Sequence, residues 1–109
     1  MKKYLIHFMI VDVNSIEDEG VSSGTNFGIY RKTFNTREEA EKGLEKLMAE
    51  DKASLELEYD FEDEDVRSAF EIEIEKGRHD RKELTVYEKW DEYRNAINTT
   101  IYEIVEVEF

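Results

Sequence analysis

The chain contains no cysteine, no proline and only two histidines among its 109 residues. Without cysteine, neither a disulfide framework nor thiolate chemistry is available. Small secreted domains usually need such cross-links, so a cytoplasmic location is expected. No apolar run reaches the roughly 18 residues that a membrane span requires, because the longest, residues 4–11, is interrupted by His7. No small-residue cleavage site follows that run, so we expect neither a signal peptide nor a membrane partner.

Sequence signatures of catalysis are also missing. There is no glycine-rich phosphate loop, no His-x-x-x-His pair and no Gly-x-Ser-x-Gly elbow. A calcium-binding EF-hand is not expected between Asp60 and Glu71, because Asp65 stands where the sharp turn requires glycine. We therefore predict a non-catalytic protein with no cofactor and no specific metal site. A metal-dependent hydrolase that uses the clustered carboxylates is kept as a third interpretation.

Length and composition favour one small globular domain spanning residues 1–109. A chain of this size can bury a single modest core. Its 39% hydrophobic content and thirteen aromatic residues argue against wholesale disorder, although 39% of the residues are charged.

The first half of the chain predicts two strands followed by a helix. Residues 4–11 are apolar on both faces, which is typical of a central strand. Residues 26–34 alternate as a second strand after an exposed connection over residues 14–25. Thr36 and Glu39 have the spacing of a helix capping box. Apolar residues then recur at helical spacing at Ala40, Leu44, Leu47 and Met48.

After Asp51, the hydrophobic period changes from 3.6 to 2, which predicts a strand over residues 52–61. A helix prolonged through Leu55 and Tyr59 is the alternative.

A hairpin between residues 70–75 and 83–89 follows from cross-strand pairing. One antiparallel register places Ile74 opposite Leu84 and Ile72 opposite Val86, with the acidic residues on the other face. Residues 91–97 are predicted as a short helix or turn.

A final strand is predicted over residues 100–109. The predicted fold is therefore α+β, an antiparallel sheet with one amphipathic helix packed on a face, in the order ββαβββ(α)β.

The most unusual feature is the charge of residues 54–75, where ten carboxylates stand against the single cation Arg67 and carry −9 of the formal −13. Carboxylates at alternate strand positions would share one face about 6.6 Å apart, a distance comparable to that between successive phosphates of a nucleic acid. The charge is also uneven, with −2 on residues 1–53 and −11 on residues 54–109, whereas a surface that serves solubility alone mixes its signs. The candidate partner-binding residues are Glu56, Glu58, Asp60, Glu62, Asp63, Glu64, Asp65, Glu71, Glu73 and Glu75.

These patterns predict a non-catalytic acidic binding protein that engages a basic protein surface, with nucleic-acid mimicry as its most specific form. In size, acidity and lack of catalytic signatures, the chain resembles the small inhibitors with which bacteriophages and mobile elements block host nucleic-acid enzymes, including anti-CRISPR and anti-restriction proteins. The resemblance is one of composition and implies a nucleic-acid-binding partner, but no site residues. The alternative is a small bacterial cytosolic interaction domain whose acidity is incidental.

A basic loop at residues 76–82 contrasts with this acidity. Direct nucleic-acid binding is not expected, because the charge of the whole chain would repel phosphate. Contact with the acidic face of a second copy is more favourable, so the sequence permits a homodimer. Tyr87, Trp90 and Tyr93 follow the loop and are of the types that anchor interfaces, although Trp90 is predicted to pack in the core.

Overall fold

The fold is a five-stranded antiparallel sheet with a long helix on one face, which confirms the predicted α+β class. The computed structural model describes residues 1–12, 24–77, 81–90 and 92–108. In chain order the elements are β1 (Lys2–Asp12), β2 (Gly24–Ile29), α1 (Arg37–Glu58), α2 (Glu64–Ala69), β3 (Phe70–Lys76), β4 (Lys82–Trp90) and β5 (Tyr93–Glu108). The strands lie in the order β2-β1-β5-β4-β3, so β1 is internal, as predicted. None of the helices in the described ranges combines the length and apolar character of a membrane span.

The core lies between α1 and the sheet face that it covers. Alternation along the strands directs one set of side chains toward the helix, and four of these, Ile6, Leu84, Val86 and Tyr102, are almost completely buried. The helix contributes the predicted stripe, of which Ala40, Leu44 and Met48 are buried and Leu47 packs against them. Burial of each large aliphatic side chain stabilises the fold by about 1.5–3 kcal/mol.

The start of α1 is set by its cap and by a contact with β1. The Thr36 hydroxyl accepts a hydrogen bond from the Glu39 amide at 3.1 Å, as the capping box predicts. The Glu39 carboxylate accepts from the Asn35 amide at 3.3 Å, one residue before the expected partner. Phe34 and Tyr4 exchange two backbone hydrogen bonds of 2.9 Å, so the helix begins close to the first residues of β1.

The predicted hairpin register is confirmed. Residues Ile74 and Leu84 are paired, as are Ile72 and Val86, and the intervening glutamates face the other side of the sheet. The Gly77 amide donates to the Arg81 carbonyl at 2.8 Å and narrows the loop. Residues 78–80 of the predicted basic loop lie outside the described residues, as do residues 13–23, which include most of the predicted connection.

The strand predicted over residues 52–61 is wrong, because α1 continues to Glu58 and a turn follows it. Leu55 and Tyr59 satisfy both periods and Leu57 fits the strand period only, so the pattern alone does not exclude either element. Leu55 and Tyr59 continue the helical stripe and pack against the core, whereas Leu57 is 78% exposed. Leucine, glutamate, lysine and alanine also favour helix over strand.

The helix or turn predicted over residues 91–97 is wrong for residues 93–97, which form the start of β5; a turn is present at residue 92, and residue 91 lies outside the described residues. The chain reverses between the paired residues Trp90 and Tyr93, and β5 begins there. Pairing with β4 overrides the weak local preferences of this polar segment, and a bulge between Val86 and Tyr87 adjusts the register. Trp90 is 51% exposed at this hairpin, so its predicted core position is wrong as well.

One further boundary and one additional element differ from prediction. β2 ends at Ile29, and Phe34 reaches the sheet only through its isolated bridge to Tyr4. The short helix α2 was not predicted; it leads directly into β3.

The helix α1 crosses the sheet obliquely. It starts beside β1 and ends beside β3, where the Tyr59 and Phe70 rings lie 5.2 Å apart between centroids. An oblique helix covers a sheet unevenly, and an opening remains on either side of it. One, of about 590 Å³, lies between the first half of α1 and the β3–β4 hairpin. The other, of about 500 Å³, lies between the second half of α1 and strands β1 and β5.

The second opening contains a polar pair of the buried Tyr102 and the half-buried Asp51. The Tyr102 hydroxyl donates to the Asp51 carboxylate at 2.5 Å. Burial, followed by this hydrogen bond, raises the pKa of Tyr102 well above its ordinary value. The pair joins the second half of α1 to the central strand β5.

Candidate functional site

The ten candidate carboxylates fall into two groups with different backbones. Seven extend from the last turn of α1 into the first turn of α2, and we call them the acidic turn: Glu56, Glu58, Asp60, Glu62, Asp63, Glu64 and Asp65. The other three, Glu71, Glu73 and Glu75, lie on one face of β3 and form the carboxylate row.

The acidic turn is built on a Schellman motif at the end of α1. The Asp60 amide donates to the Leu57 carbonyl at 3.2 Å, and the Phe61 amide donates to the Glu56 carbonyl at 2.9 Å. Asp60 occupies the left-handed position of this motif with φ 57°. Glycine is the usual residue there, and aspartate is one of the few others that adopt it.

Arg67 holds the far side of the turn. Its guanidinium donates to the carbonyls of Phe61 and Glu62 at 2.9 and 3.3 Å. The Asp63 carboxylate accepts from the Asp65 amide at 2.9 Å and caps α2. The one cation within this acidic stretch therefore bonds to backbone carbonyls, and the turn is held in a defined shape.

The carboxylates of the acidic turn point into solvent without a cationic partner. All except the half-buried Glu56 are exposed. Among the described residues, no lysine, arginine or histidine lies within ion-pair distance of the seven. Glu64 and Asp65 lie at the amino end of α2, where the helix dipole stabilises negative charge. Glu56, Glu58 and Asp60 lie at the carboxyl end of α1, whose last turn has no basic residue. Negative charge at that end of a helix is unfavourable.

The carboxylate row, by contrast, converges on one cation. The Arg94 guanidinium reaches from β5 across β4 to within 3.3 Å of Glu71, 2.9 Å of Glu73 and 3.6 Å of Glu75. Hydrogen bonding with the Glu71 side chain and with Arg94 lowers the pKa of Glu73 below its ordinary value. The three carboxylates and Arg94 therefore form one ionic cluster with a net charge of −2, and the row does not present three separate charges.

Tyr87 contacts both Arg94 and Glu75 of this cluster. The Arg94 guanidinium carbon lies 4.0 Å from the centroid of the Tyr87 ring, in a cation–π contact. The Tyr87 hydroxyl donates to Glu75 at 2.7 Å. Burial, and next this hydrogen bond, raise the pKa of Tyr87 to about 12.

The structure changes the interpretation of phosphate-like spacing. Glu56, Glu58 and Asp60 do not form a strand row, because they lie on and just after a helix. Glu71, Glu73 and Glu75 share one strand face as predicted, but their carboxylates turn toward Arg94. The two groups are similar in charge density and different in geometry.

Sequence reasoning missed Arg94 as part of this surface. Its contact with β3 depends on the β4–β5 pairing and on the bulge before Tyr87, and the Asp-Glu dipeptide at residues 91–92 is not a characteristic hairpin signal. Tyr87 could have been placed, because the predicted register already set it opposite Glu71.

The β4–β5 hairpin adds exposed aromatic surface close to α2. Trp90 is 51% and Tyr93 is 76% exposed. Lys89, next to Trp90, donates to the Arg67 carbonyl at 3.0 Å and joins the hairpin to α2. Acidic and aromatic side chains therefore lie at the same end of the sheet.

Across the described ranges, no three carboxylates or histidines converge as metal ligands would. No protein-family profile, curated protein or solved structure matches the chain.

Proposed function

We propose that the protein is a non-catalytic cytosolic binding protein whose acidic turn engages a basic surface of another protein. The observation that supports this most directly is the set of exposed carboxylates at the carboxyl end of α1, where the helix dipole disfavours them and no described cation compensates them. Selection for stability or solubility alone would place such charges elsewhere. A binding role explains why they stand together.

The rigid backbone of the turn suits recognition. The Schellman motif, the Arg67 clamp and the Asp63 cap restrain the segment before any partner arrives. A preorganised surface loses less conformational entropy on binding than a mobile loop of the same charge.

The adjacent aromatics would supply the apolar part of the interface. Exposed Trp90 and Tyr93 are of the residue types that most often carry binding energy. Charge on the turn would steer the partner, and the aromatic tip would slow its release.

The specific form of the proposal is an inhibitor of the phage or mobile-element type that occupies a nucleic-acid-binding surface. High negative charge on a fixed turn can compete for a groove of lysine and arginine side chains without reproducing phosphate spacing. The carboxylate row would contribute less, because Arg94 neutralises part of it.

The alternative role uses the sheet face that points away from α1. Leu5, Met9 and Ile101 are half-buried there and Val105 is 36% exposed, and no helix of the described ranges covers these residues. An interaction domain that works through this apolar face would make its acidity incidental.

A comparison of matched variants tests these roles. Partners captured from a bacterial lysate at low salt would be identified, purified and titrated. The turn variant carries Glu58→Gln, Asp60→Asn and Glu62→Gln, and the row variant carries Glu71→Gln, Glu73→Gln and Glu75→Gln. Both remove three negative charges.

We expect the turn variant to bind about tenfold more weakly or worse, and the row variant to lose less than about threefold. Binding should weaken steeply with salt, and DNA or RNA should compete. Equal losses in the two variants would mean that net charge alone attracts the partner. A partner that survives high salt and is released by Val105→Ser would favour the sheet face.

A further inference from the structure

The opening between α1 and the β3–β4 hairpin has an apolar floor. Leu44 and Met48 of α1, with Ile104 of β5, form its base, and Ile74 at the edge strand is 46% exposed toward it. Its volume of about 590 Å³ is within the range of about 300–1,000 Å³ that is typical of small-molecule sites.

The rim of this cavity reverses the charge of the rest of the protein. Four cations, Arg37, Lys76, Arg81 and Lys82, line it, and the Arg81 guanidinium lies 3.8 Å from Glu103 outside the lining. The two acids there are Glu45 and Glu41, of which Glu41 lies 3.5 Å from Arg37. With Glu103 included, four cations stand against three acids, a net charge of +1 in a chain of formal charge −13.

Two of these cations face each other at unfavourable positions. Lys76 and Lys82 are directly paired across β3 and β4, and like charges opposite each other in neighbouring strands are destabilising. Each lysine is two residues from an apolar residue of its strand, Lys76 from Ile74 and Lys82 from Leu84. Alternate residues of a strand share a face, so both lysines lie on the side of the sheet that faces α1. No described carboxylate forms an ion pair with either lysine.

We infer that this cavity binds a small organic anion with an apolar body, such as an alkyl or aryl carboxylate. The apolar part would cover Ile74 and Ile104, and the acid group would lie between Lys76 and Lys82. An anion there removes the repulsion between the two ammonium groups, and burial of Ile74 adds apolar contact. The acidic turn lies at the opposite end of β3 from this cavity. The inference therefore does not depend on the partner proposed for the acidic turn.

The test compares octanoate with octylammonium, which has the same alkyl chain and the opposite charge. Binding would be followed through the NMR methyl signals of Ile74, Ile104 and Met48. A protein of this net charge attracts cations by default, so a preference for octanoate would report the local site. We expect saturable shifts of these three residues with octanoate and weaker binding of octylammonium.

Matched lysine variants complete the test. Lys76→Gln with Lys82→Gln should weaken octanoate binding about tenfold, as the loss of two charged contacts predicts. Lys42→Gln with Lys46→Gln changes the net charge equally on an exposed face of α1 outside the cavity and should leave binding unchanged. Circular dichroism would confirm that both variants fold.

Three results would overturn the inference. They are an absence of saturable shifts with octanoate, equal or tighter binding of octylammonium at the same methyl groups, and equal losses in the two lysine variants.

Discussion

The acidic turn and the carboxylate row are neighbours in sequence, yet the charges of the row are paired with a cation and those of the turn are not. The row is drawn together by Arg94 and supported by Tyr87. The turn uses its own arginine, Arg67, to hold the backbone and leaves its carboxylates in solvent. A cluster of acidic residues in a sequence can therefore contain both a structural ionic network and an exposed surface, and charge density alone does not separate them.

The largest expected effect concerns the helix that supports the turn. Leu55→Ala should destabilise the protein by about 1–3 kcal/mol, because Leu55 packs against the core. Leu57→Ala, at a side chain that is 78% exposed, should change the stability by less than about 0.5 kcal/mol. Equilibrium denaturation in urea measures both. Similar costs for the two variants would contradict the helix, since a strand would place both residues on the same face.

The backbone of the turn gives the next prediction. Asp60→Gly should stabilise the protein by about 1 kcal/mol, because glycine adopts the left-handed conformation of Asp60 without steric cost. Asp60→Asn is the matched control, since it removes the charge and keeps a side chain. If the asparagine variant gains as much as the glycine variant, repulsion and not conformation is the cost at this position.

The two triple variants should move the stability in opposite directions. The turn variant should gain a few tenths to about 1 kcal/mol, because acidic side chains leave the carboxyl end of α1. The row variant should become less stable, because Arg94 loses its three carboxylate partners. Thermal denaturation at low and at high salt would measure the difference, which salt should reduce. A gain in both variants would show that Arg94 does not compensate the row.

Acid sensitivity should distinguish the row further. The pKa of Glu73 is lowered from 4.5 in the folded protein, so its contribution is present above the unfolded pKa and is lost as the pH falls through the folded pKa. As the pH falls below the unfolded pKa, the wild type should therefore lose slightly more stability than Glu73→Gln. The difference should be small, because solvent screens these partly exposed side chains. Parallel acid titrations of the two proteins would argue against the ionic cluster.

The smallest effect is spectroscopic. The raised pKa of Tyr87, about 12, means that the folded protein retains this phenolic proton after an unfolded chain has lost it. Its contribution is complete below the unfolded pKa and is lost as the pH rises through the folded value. In an ultraviolet titration, Tyr87→Phe should remove one phenol that ionises near pH 12 in the wild type. Loss of an ordinary phenol near pH 10 would contradict the hydrogen bond with Glu75.

Several elements of this fold could be predicted because their signals are local. Thr36 and Glu39 mark the helix start through a four-residue pattern. The β3–β4 register could be predicted because one alignment alone brings Ile72 and Ile74 opposite apolar partners and keeps most like charges apart.

The candidate site was predictable in identity and not in arrangement. The residues that bear the charge are evident from the sequence, but Leu55 and Tyr59 fit a strand and a helix equally well. Packing of Leu55 and Tyr59 on the core, and contact of Tyr59 with Phe70, chose the helix.

The sequence by itself determined the fold class, the cap of α1, the β3–β4 pairing and the concentration of negative charge. Only the tertiary structure decided which carboxylates are compensated. Arg94 is about twenty residues from the row in sequence and reaches it across β4 only after two hairpins and a bulge have set three strands in register. Periodicity and charge are properties of neighbouring residues, whereas the compensation of a charge depends on the distance to every other charge in the folded chain.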